Sequence, residues 1–502
     1  MQEVKDYYDK MPYFSAAFAD SSPVRLNAIG EFLNLNPPPL KTARILELGS
    51  SFGGNILPFA MEYQDARVVG IDISLTQTSL GNKIANDLGL KNFTLLQKDI
   101  FKLTDADFKG LGEFDYIIAH GLYSWVSDEV RAGVLAAIRR FLSPNGIAYI
   151  SYNVYPGYST FSILREFMLF AGQGKDDRLG VAKGELKFLS DYLKIALQAQ
   201  QDATLKDTLK LMQTQLNFLQ NITKDPKNDY YILHDFLENF NKPTYFYKFV
   251  DEIGKYGLCY LLDSDLGDIF SSGLGLFRFD AHIEKYYQKR VQKEQMKDFL
   301  LNRSFRKSLV MKKEVLNGSD DFEVNITPSE ISRLYVSACL EKKDENFYLN
   351  NTLLNPEFNE IFTKFYDNYP QSLSLENFND KQTAIYALLE LISNQNAVIS
   401  TKELKKVEFI SGKTRLKPHV KAYFEYFLNT QNPVILLANH LNKKADFSKN
   451  ELEVAINFDK INELNELENF IKDEWQIKDR REFVKTLFNK LQSGYFLTNV
   501  SC

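Results

Sequence analysis

The chain has 502 residues, 44% hydrophobic and 25% charged, which fits a globular protein of about two to four domains and excludes a disordered or fibrous one. Its formal net charge is −5, from 60 basic and 65 acidic residues, which argues against bulk nucleic-acid binding. The three cysteines, Cys259, Cys339 and Cys502, give neither a disulfide framework nor a metal-ligand spacing, and point to a reducing compartment. The opening MQEVKDYYDKMPYF has no charged-then-apolar leader, and no apolar run approaches the ~20 residues of a membrane span. A cytoplasmic protein with no membrane insertion is the expectation.

Residues 1–41 are dense in aromatics, including Tyr13, Phe14 and Phe18, and carry a helical pattern from Val24 to Leu33 that Pro37-Pro38-Pro39 stops. This segment is expected either to cap a sheet or to form a lid over a ligand.

Residues 42–158 alternate strand and helix. Ile45 to Leu48 is an apolar strand that runs into a glycine turn, Gly49 to Gly54, and then a helix from Asn55. That is the opening of a nucleotide-binding α/β unit, in which glycine lets the backbone approach a ligand. A second strand, Val68 to Asp72, ends in an acid roughly 20 residues after the turn, where an acid meets ribose hydroxyls. A third, Phe93 to Leu96, leads into Lys98-Asp99-Ile100, and a fourth, Phe114 to Ala119, into His120-Gly121. Helical patterns between them, Leu75 to Leu88 and Asp128 to Leu142, imply a parallel sheet covered on both faces. Glu47 would repel a pyrophosphate, and the glycines at Gly49 and Gly53 depart from the dinucleotide spacing.

Past strand four stands His120-Gly121-Leu122-Tyr123-Ser124-Trp125-Val126. Strand five, Ile147 to Ser151 after the turn Ser143 to Gly146, runs into Tyr152-Asn153-Val154-Tyr155-Pro156-Gly157-Tyr158. Both stretches lie at carboxyl ends of strands, where open α/β sheets bind ligands. An asparagine and tyrosines there can hydrogen-bond a polar nucleophile and enclose a cation with ring faces.

Residues 159–225 show helical spacing throughout and read as an insertion, either a cap over the site or a dimer surface. Residues 226–310 contain a helix from Phe249 to Tyr256, Gly257, and a strand from Leu258 to Leu262 that is expected to complete the first sheet. Met296 to Leu309 reads as a basic helix with Arg303, Arg306 and Lys307 on a solvated face. Residues 311–370 read as a linker or middle region. Residues 371–502 read as an α+β, winged-helix-like module, with a helix from Lys381 to Ser393 and a short one after Ser400-Thr401. Such modules bind nucleic acid, dock proteins or serve structure alone; the acidic run from Glu451 to Glu474 weighs against nucleic acid.

The motifs together resemble one family. They are Glu47-Leu48-Gly49 with Gly53-Gly54-Asn55, Pro12-Tyr13-x-Ser15, Pro23-x-Arg25-Leu26, and His120-Gly121-x-Tyr123-Ser124-Trp125-Val126. Further matches are Asn153-x-Tyr155-Pro156-Gly157, Tyr231-x-Leu233-His234 and Gly257-Leu258-x-Tyr260-Leu261. The chain resembles the class I S-adenosylmethionine-dependent methyltransferases with a methyltransferase regulatory domain, and is similar to rickettsial protein-lysine methyltransferases of outer-membrane proteins. The resemblance covers about three-fifths of the chain well. It departs at Ser50-Ser51, where the branch commonly has Cys-Gly, and at Ser22, where it has His.

The resemblance implies a Rossmann-like methyltransferase sheet, S-adenosylmethionine as cofactor, a protein substrate and a homodimer. It implies Glu47, Gly49, Ser51, Gly53, Asn55, Asp72, Asp99, Ile100 and His120 around the cofactor, with the turn at the methionine end, Asp72 at the ribose and Asp99 near the adenine. Tyr123, Asn153 and Tyr155 are expected to position the substrate, with His120 a possible proton acceptor. Tyr13, Trp125 and Tyr152 are expected to shape the channel. Three readings stand: a protein-lysine methyltransferase, a small-molecule methyltransferase with a helical cap, and a non-catalytic cofactor-binding scaffold.

Overall fold

The computed structural model describes residues 14–222, 224, 229, 232–238, 240–267, 277–316, 328–394 and 396–500. Its centre is a seven-stranded sheet: β1 (Arg44–Leu48), β2 (Arg67–Asp72), β3 (Phe93–Gln97), β4 (Phe114–Ala119), β5 (Leu142–Asn153), β6 (Leu258–Asp263) and β7 (Phe305–Lys312). The spatial order is β3-β2-β1-β4-β5-β7-β6. Strands β1 to β5 pair in parallel, and β7 is antiparallel to both β5 and β6. The order reverses direction between β1 and β4, which makes the carboxyl ends of those strands the natural ligand crevice.

Successive residues of each strand serve opposite faces of the sheet. Ile45, Val68, Tyr116, Ile118 and Tyr149 join one core, while Leu46, Val69, Ile117, Ala119 and Ile150 join the other. Because both faces are covered, β4 is buried along its whole length and reads as an apolar run rather than an alternation.

The first core continues through helix α1 (Pro23–Phe32) into residues 331–497, including Leu388, Phe424, Phe458 and Leu487. Arg25 of α1 fixes that layer to the end of β6, donating through Nε and Nη2 to the Ser264 carbonyl at 2.9 and 2.7 Å. The second core holds helix α2 (Asp128–Phe141) and helix α3 (Phe246–Lys255). Between β5 and α3 lie, among the described residues, the long helices α4 (Tyr158–Ala171), α5 (Arg178–Ala199) and α6 (Ala203–Ile222), with their own apolar cluster around Leu164, Met168, Leu186, Leu193 and Leu216.

Several expectations change. The turn before strand five is part of β5: Phe114 pairs with Leu142 and Tyr116 with Ile147, so the extra residues form a bulge. The helix expected over Met296 to Leu309 runs from Arg290 to Leu301 instead; Asn302 ends it at φ 48°, and the chain turns into β7. Arg306 is correspondingly not solvated. It is fully buried, with Asp263 at 2.6 Å, Asp298 at 2.7 Å and Glu294 at 3.2 Å.

The C-terminal region is α+β, with helices Lys381–Ser393, Val420–Asn429, Lys449–Ala455 and Arg480–Ser493 and small antiparallel strand pairs. No helix follows Ser400-Thr401. The backbone there is held by outside partners: Leu404 N–H donates to Ser372 Oγ and Lys406 N–H to Gln371 Oε1, both at 2.7 Å. Among the described residues, no helix is long and apolar enough to cross a membrane.

Candidate active site

The carboxyl ends of β1, β2, β4 and β5 open into one cavity of about 600 Å³. The turn after β1 is anchored to β2, since Gly49 and Ser50 N–H both donate to the Ile71 carbonyl. Gly49 sits at φ 75° with its face toward the cavity, where a Cβ would come within 3.1 Å of Leu122. Ser51, in place of the family's usual glycine, takes φ 50°. Its N–H donates to Asp72 Oδ2 at 2.8 Å, while Ser74 N–H donates to Oδ1 at 3.0 Å. The two bonds set the Asp72 carboxylate at the mouth of β2, on the cavity wall.

Glu47 lies on the cavity wall and is buried. Asn55 Nδ2 donates to its Oε1 at 2.7 Å, and among the described residues no donor reaches Oε2. Burial raises its pKa to about 8, against the Asn55 hydrogen bond and with help from Asp72. A buried carboxyl oxygen short of a donor, beside a glycine turn and a ribose-type acid, fits a ligand that brings cationic or N–H groups and hydroxyls. S-adenosylmethionine carries that set.

His120 closes the same wall. Phe18 stacks on its ring at 3.7 Å, and its Nδ1 shares a hydrogen bond with the Tyr149 hydroxyl at 3.0 Å. Burial, with the Lys307 charge adding, lowers its pKa to about 4, so it is neutral at pH 7.

Of the residues singled out in the sequence, Glu47, Gly49, Ser51, Asn55, Asp72, Asp99, Ile100, His120, Trp125 and Asn153 line this cavity. Gly53 does not; a Cβ there would meet the Phe93 ring at 2.5 Å, so it serves packing behind the turn. Tyr123 and Tyr152 do not reach the cavity either. Both lie in the second core against Phe249, with the Arg131 guanidinium 4.9 Å from the Tyr123 ring and Tyr152 hydrogen-bonded to Ser308 at 3.0 Å. Tyr152 precedes Asn153 on one strand, so strand alternation sends the two to opposite faces. Tyr155 packs its ring 5.3 Å from that of Tyr245 and is not among the lining residues. Tyr13 lies outside the described residues.

Inside the string around Trp125, Ser124 does unexpected work. Its Oγ accepts from Asn153 N–H at 2.8 Å and its carbonyl from Lys242 N–H at 2.8 Å, which joins the ends of β4 and β5 to the segment after the helical insertion.

Tyr158, the third tyrosine of the stretch after strand five, lines the cavity, and so do residues not expected there: Phe161 of α4, Asp235, Phe236, Glu238 and Phe240. Asn153 Nδ2 reaches Asn241 Oδ1 at 3.5 Å, and Asn241 donates to the Tyr158 hydroxyl, whose pKa burial raises to about 12. Burial alone pushes the Asp235 carboxyl up to about 7. The one signal in the sequence was proximity: Asp235 directly follows the Tyr231-x-Leu233-His234 match.

Residues 45–146 match the family described as "Methyltransferase domain", and residues 228–312 that described as "Predicted methyltransferase regulatory domain". An uncharacterized protein of Rickettsia prowazekii (strain Madrid E), RP028, is 37% identical over 251 residues, 49% of this chain and 94% of the relative. A second from that organism, RP789, is 32% identical over 356 residues, 70% of this chain and 60% of the relative. Among solved structures, PKMT2 from Rickettsia typhi in complex with AdoHcy is similar at a TM-score of 0.77 and 25% identity, over 97% of this chain and 100% of that one. Sheet order, pocket chemistry and these matches agree: the chain belongs to the class I S-adenosylmethionine-dependent methyltransferases that carry a methyltransferase regulatory domain.

Proposed function

We propose that this enzyme methylates lysine side chains of a protein substrate. The observation that carries the reading is the composition of the non-cofactor wall: the carboxyls of Asp235 and Glu238 stand in one cavity with the rings of Trp125, Tyr158, Phe161 and Phe240. Carboxylates attract an ammonium and ring faces accept both a cation and an aliphatic stem. The resemblance of the sequence motifs to rickettsial protein-lysine methyltransferases, together with the similarity to PKMT2 of Rickettsia typhi, supports the same substrate class. An outer-membrane protein is the substrate the family resemblance implies.

S-adenosylmethionine, when bound, supplies a methyl carbon on a sulfonium centre that leaves as a neutral thioether. The turn at Gly49 and Ser51, with Glu47, Asp72 and Asp99, would hold it. The chain's own task is to deliver an amine with a free lone pair. A lysine ammonium has a reference pKa of about 10.4 and must lose a proton. Loss of water against the aromatic wall disfavours the charged amine, in opposition to the attraction of the ring faces. Ionised Asp235 takes the proton, having a carboxyl poised near neutral pH; His120 is too acidic for the task. Asn153, with its backbone N–H and carbonyl both committed to Ser124 and Thr244, aims its amide at the nucleophile.

Phe188, Tyr192 and Ile195 stand exposed along one face of α5 at helical spacing. This stripe supports a homodimer through the helical insertion, and light scattering that reads a monomer rules it out.

The decisive experiment mixes purified enzyme and methyl-labelled S-adenosylmethionine with cell extract, split into protein, lipid and small-molecule fractions. Label on a discrete protein, mapped to lysine by mass spectrometry, is the expected result. Label in the small-molecule fraction alone makes the enzyme a small-molecule methyltransferase, and binding without label anywhere makes it a scaffold.

A further inference from the structure

The C-terminal module reaches toward the cofactor pocket through a buried side chain, that of Asn442. Asn442 sits in a loop at φ 56° and is 1% exposed. Its Nδ2 donates to the Asn55 carbonyl at 2.8 Å and to Asn55 Oδ1 at 2.9 Å, and approaches the Phe18 carbonyl at 3.4 Å. Asn55 is the next link inward. Its Nδ2 donates to Glu47 Oε1 and to Ser21 Oγ, while its Oδ1 also accepts from Phe18 N–H at 2.9 Å. Asn442 is thus two side chains away from a carboxyl on the cofactor wall, though it does not line the cavity itself.

The amide of Asn55 could in principle be turned either way. Turned over, it would point its NH₂ at the Phe18 N–H, a mismatched contact, and would meet Glu47 only through the acid's own proton. Asn442 helps prevent this by placing a donor where the Asn55 oxygen must be. The orientation that lets Asn55 donate to Glu47 is therefore held by the Phe18 N–H and, from the C-terminal side, by Asn442.

A second connection runs in parallel. Ser15 forms a parallel bridge to Ile435: its N–H donates to the Val434 carbonyl at 2.9 Å and its carbonyl accepts from Leu436 N–H at 3.0 Å. Ser15 Oγ accepts from Gly54 N–H at 2.9 Å. The segment so held, Phe14 to Phe18, lines the cavity, and Phe18 stacks on His120. Tyr423 of helix Val420–Asn429 braces the outer side, donating to the Leu436 carbonyl and accepting from Ala438 N–H, both at 3.2 Å.

We propose that the C-terminal module is a positioning element of the cofactor site, and that Asn442 is the residue through which it sets the Asn55 amide against Glu47 beneath the Phe14–Phe18 strap. Hydrogen bonds behind a binding group fix its geometry without touching the ligand. The proposal rests on Glu47 and Asn55 serving S-adenosylmethionine, as the family reading has it.

The test uses the full chain. Titration calorimetry measures the affinity for S-adenosylhomocysteine, and steady-state kinetics separates KM for S-adenosylmethionine from kcat. Asn442→Ala is expected to weaken S-adenosylhomocysteine binding and raise that KM by at least about ten-fold, with kcat at saturating cofactor within about two-fold. Leu467→Ala serves as the comparison; Leu467 is buried in the same module, away from the link. It is expected to lower the unfolding midpoint and leave cofactor affinity within two-fold. Unchanged affinity in Asn442→Ala overturns the proposal. So does equal weakening in both variants, since Asn442 would then act only through the module's stability. Wild-type chain that binds no S-adenosylhomocysteine overturns the cofactor reading beneath it, and is told apart by failing before any variant is made.

Discussion

Asn55 donates to one oxygen of Glu47 at 2.7 Å and leaves the other without a donor among the described residues. Burial holds this carboxyl at a pKa of about 8 instead of 4.5, so in the ligand-free protein it is largely protonated at pH 7. The sign of the stability effect follows. The folded state favours the protonated form, so the stabilisation is complete below about pH 4.5 and is lost as pH rises through about 8. Glu47→Gln removes that dependence. Relative to the variant, ligand-free wild type should weaken steadily between pH 5 and 8, as read from paired denaturant titrations. Cofactor affinity should move the other way, falling about 10- to 100-fold in Glu47→Gln as a hydrogen bond to a charged acceptor is lost. A variant that binds as tightly as wild type would remove Glu47 from the site.

Asp235 should show in the pH dependence of the reaction. Its carboxyl must be ionised to accept a proton, so kcat/KM should rise as pH increases through about 7. Asp235→Asn should lose that limb and cut turnover by about 10²- to 10⁴-fold, the usual contribution of a positioned base. Cofactor affinity should stay near wild type. A profile that keeps its shape in Asp235→Asn would assign the proton to solvent or to another group.

These two carboxyls illustrate what a sequence can disclose. Glu47 was readable because β1 runs into a glycine turn, and β1, β2 and β4 are buried on both faces, which gives long apolar runs with clear ends. The residues just past those ends fall at the crevice almost by construction. Asp235 carries no such marker, since its role depends on burial beside α4, an element more than 60 residues away in the chain. Tyr152 illustrates the opposite failure: it is adjacent to Asn153, but a period of two puts neighbours on opposite faces. The stop signal before β7 was present in Asn302, yet the helical spacing around Phe299 hid the strand that follows.

Arg306 supports the site from behind. It stands on β7 with Asp263, Asp298 and Glu294 around its guanidinium, and Phe246 beneath it at 4.0 Å. Ser308, two residues on, joins Asp263 at 2.8 Å to the Tyr152 hydroxyl at 3.0 Å. Removing the cation leaves several buried carboxylates without their main counter-charge. Arg306→Met should therefore destabilise the protein by about 3–5 kcal/mol despite its apolar bulk. Urea titration measures this, and a loss under about 1 kcal/mol would mean that Arg303 and relaxation suffice to neutralise the cluster.

Asn153 separates binding from chemistry. Its backbone is fixed on both sides, by Ser124 Oγ at 2.8 Å and by Thr244 N–H at 3.1 Å, so truncating the side chain should leave the end of β5 in place. The amide meets Asn241, and through it the Tyr158 hydroxyl, on the wall that carries Asp235. On the proposed reading that wall receives the incoming amine, away from the turn at Gly49. Asn153→Ala should lower kcat/KM for the methyl acceptor by about 10²-fold, the scale of a misaligned reacting group, while the cofactor dissociation constant changes by less than about three-fold. Initial rates with acceptor varied at saturating cofactor give the first number, and calorimetry gives the second. Equal losses in both would mean that Asn153 shapes the cofactor site, and the substrate-positioning role would pass to Tyr158.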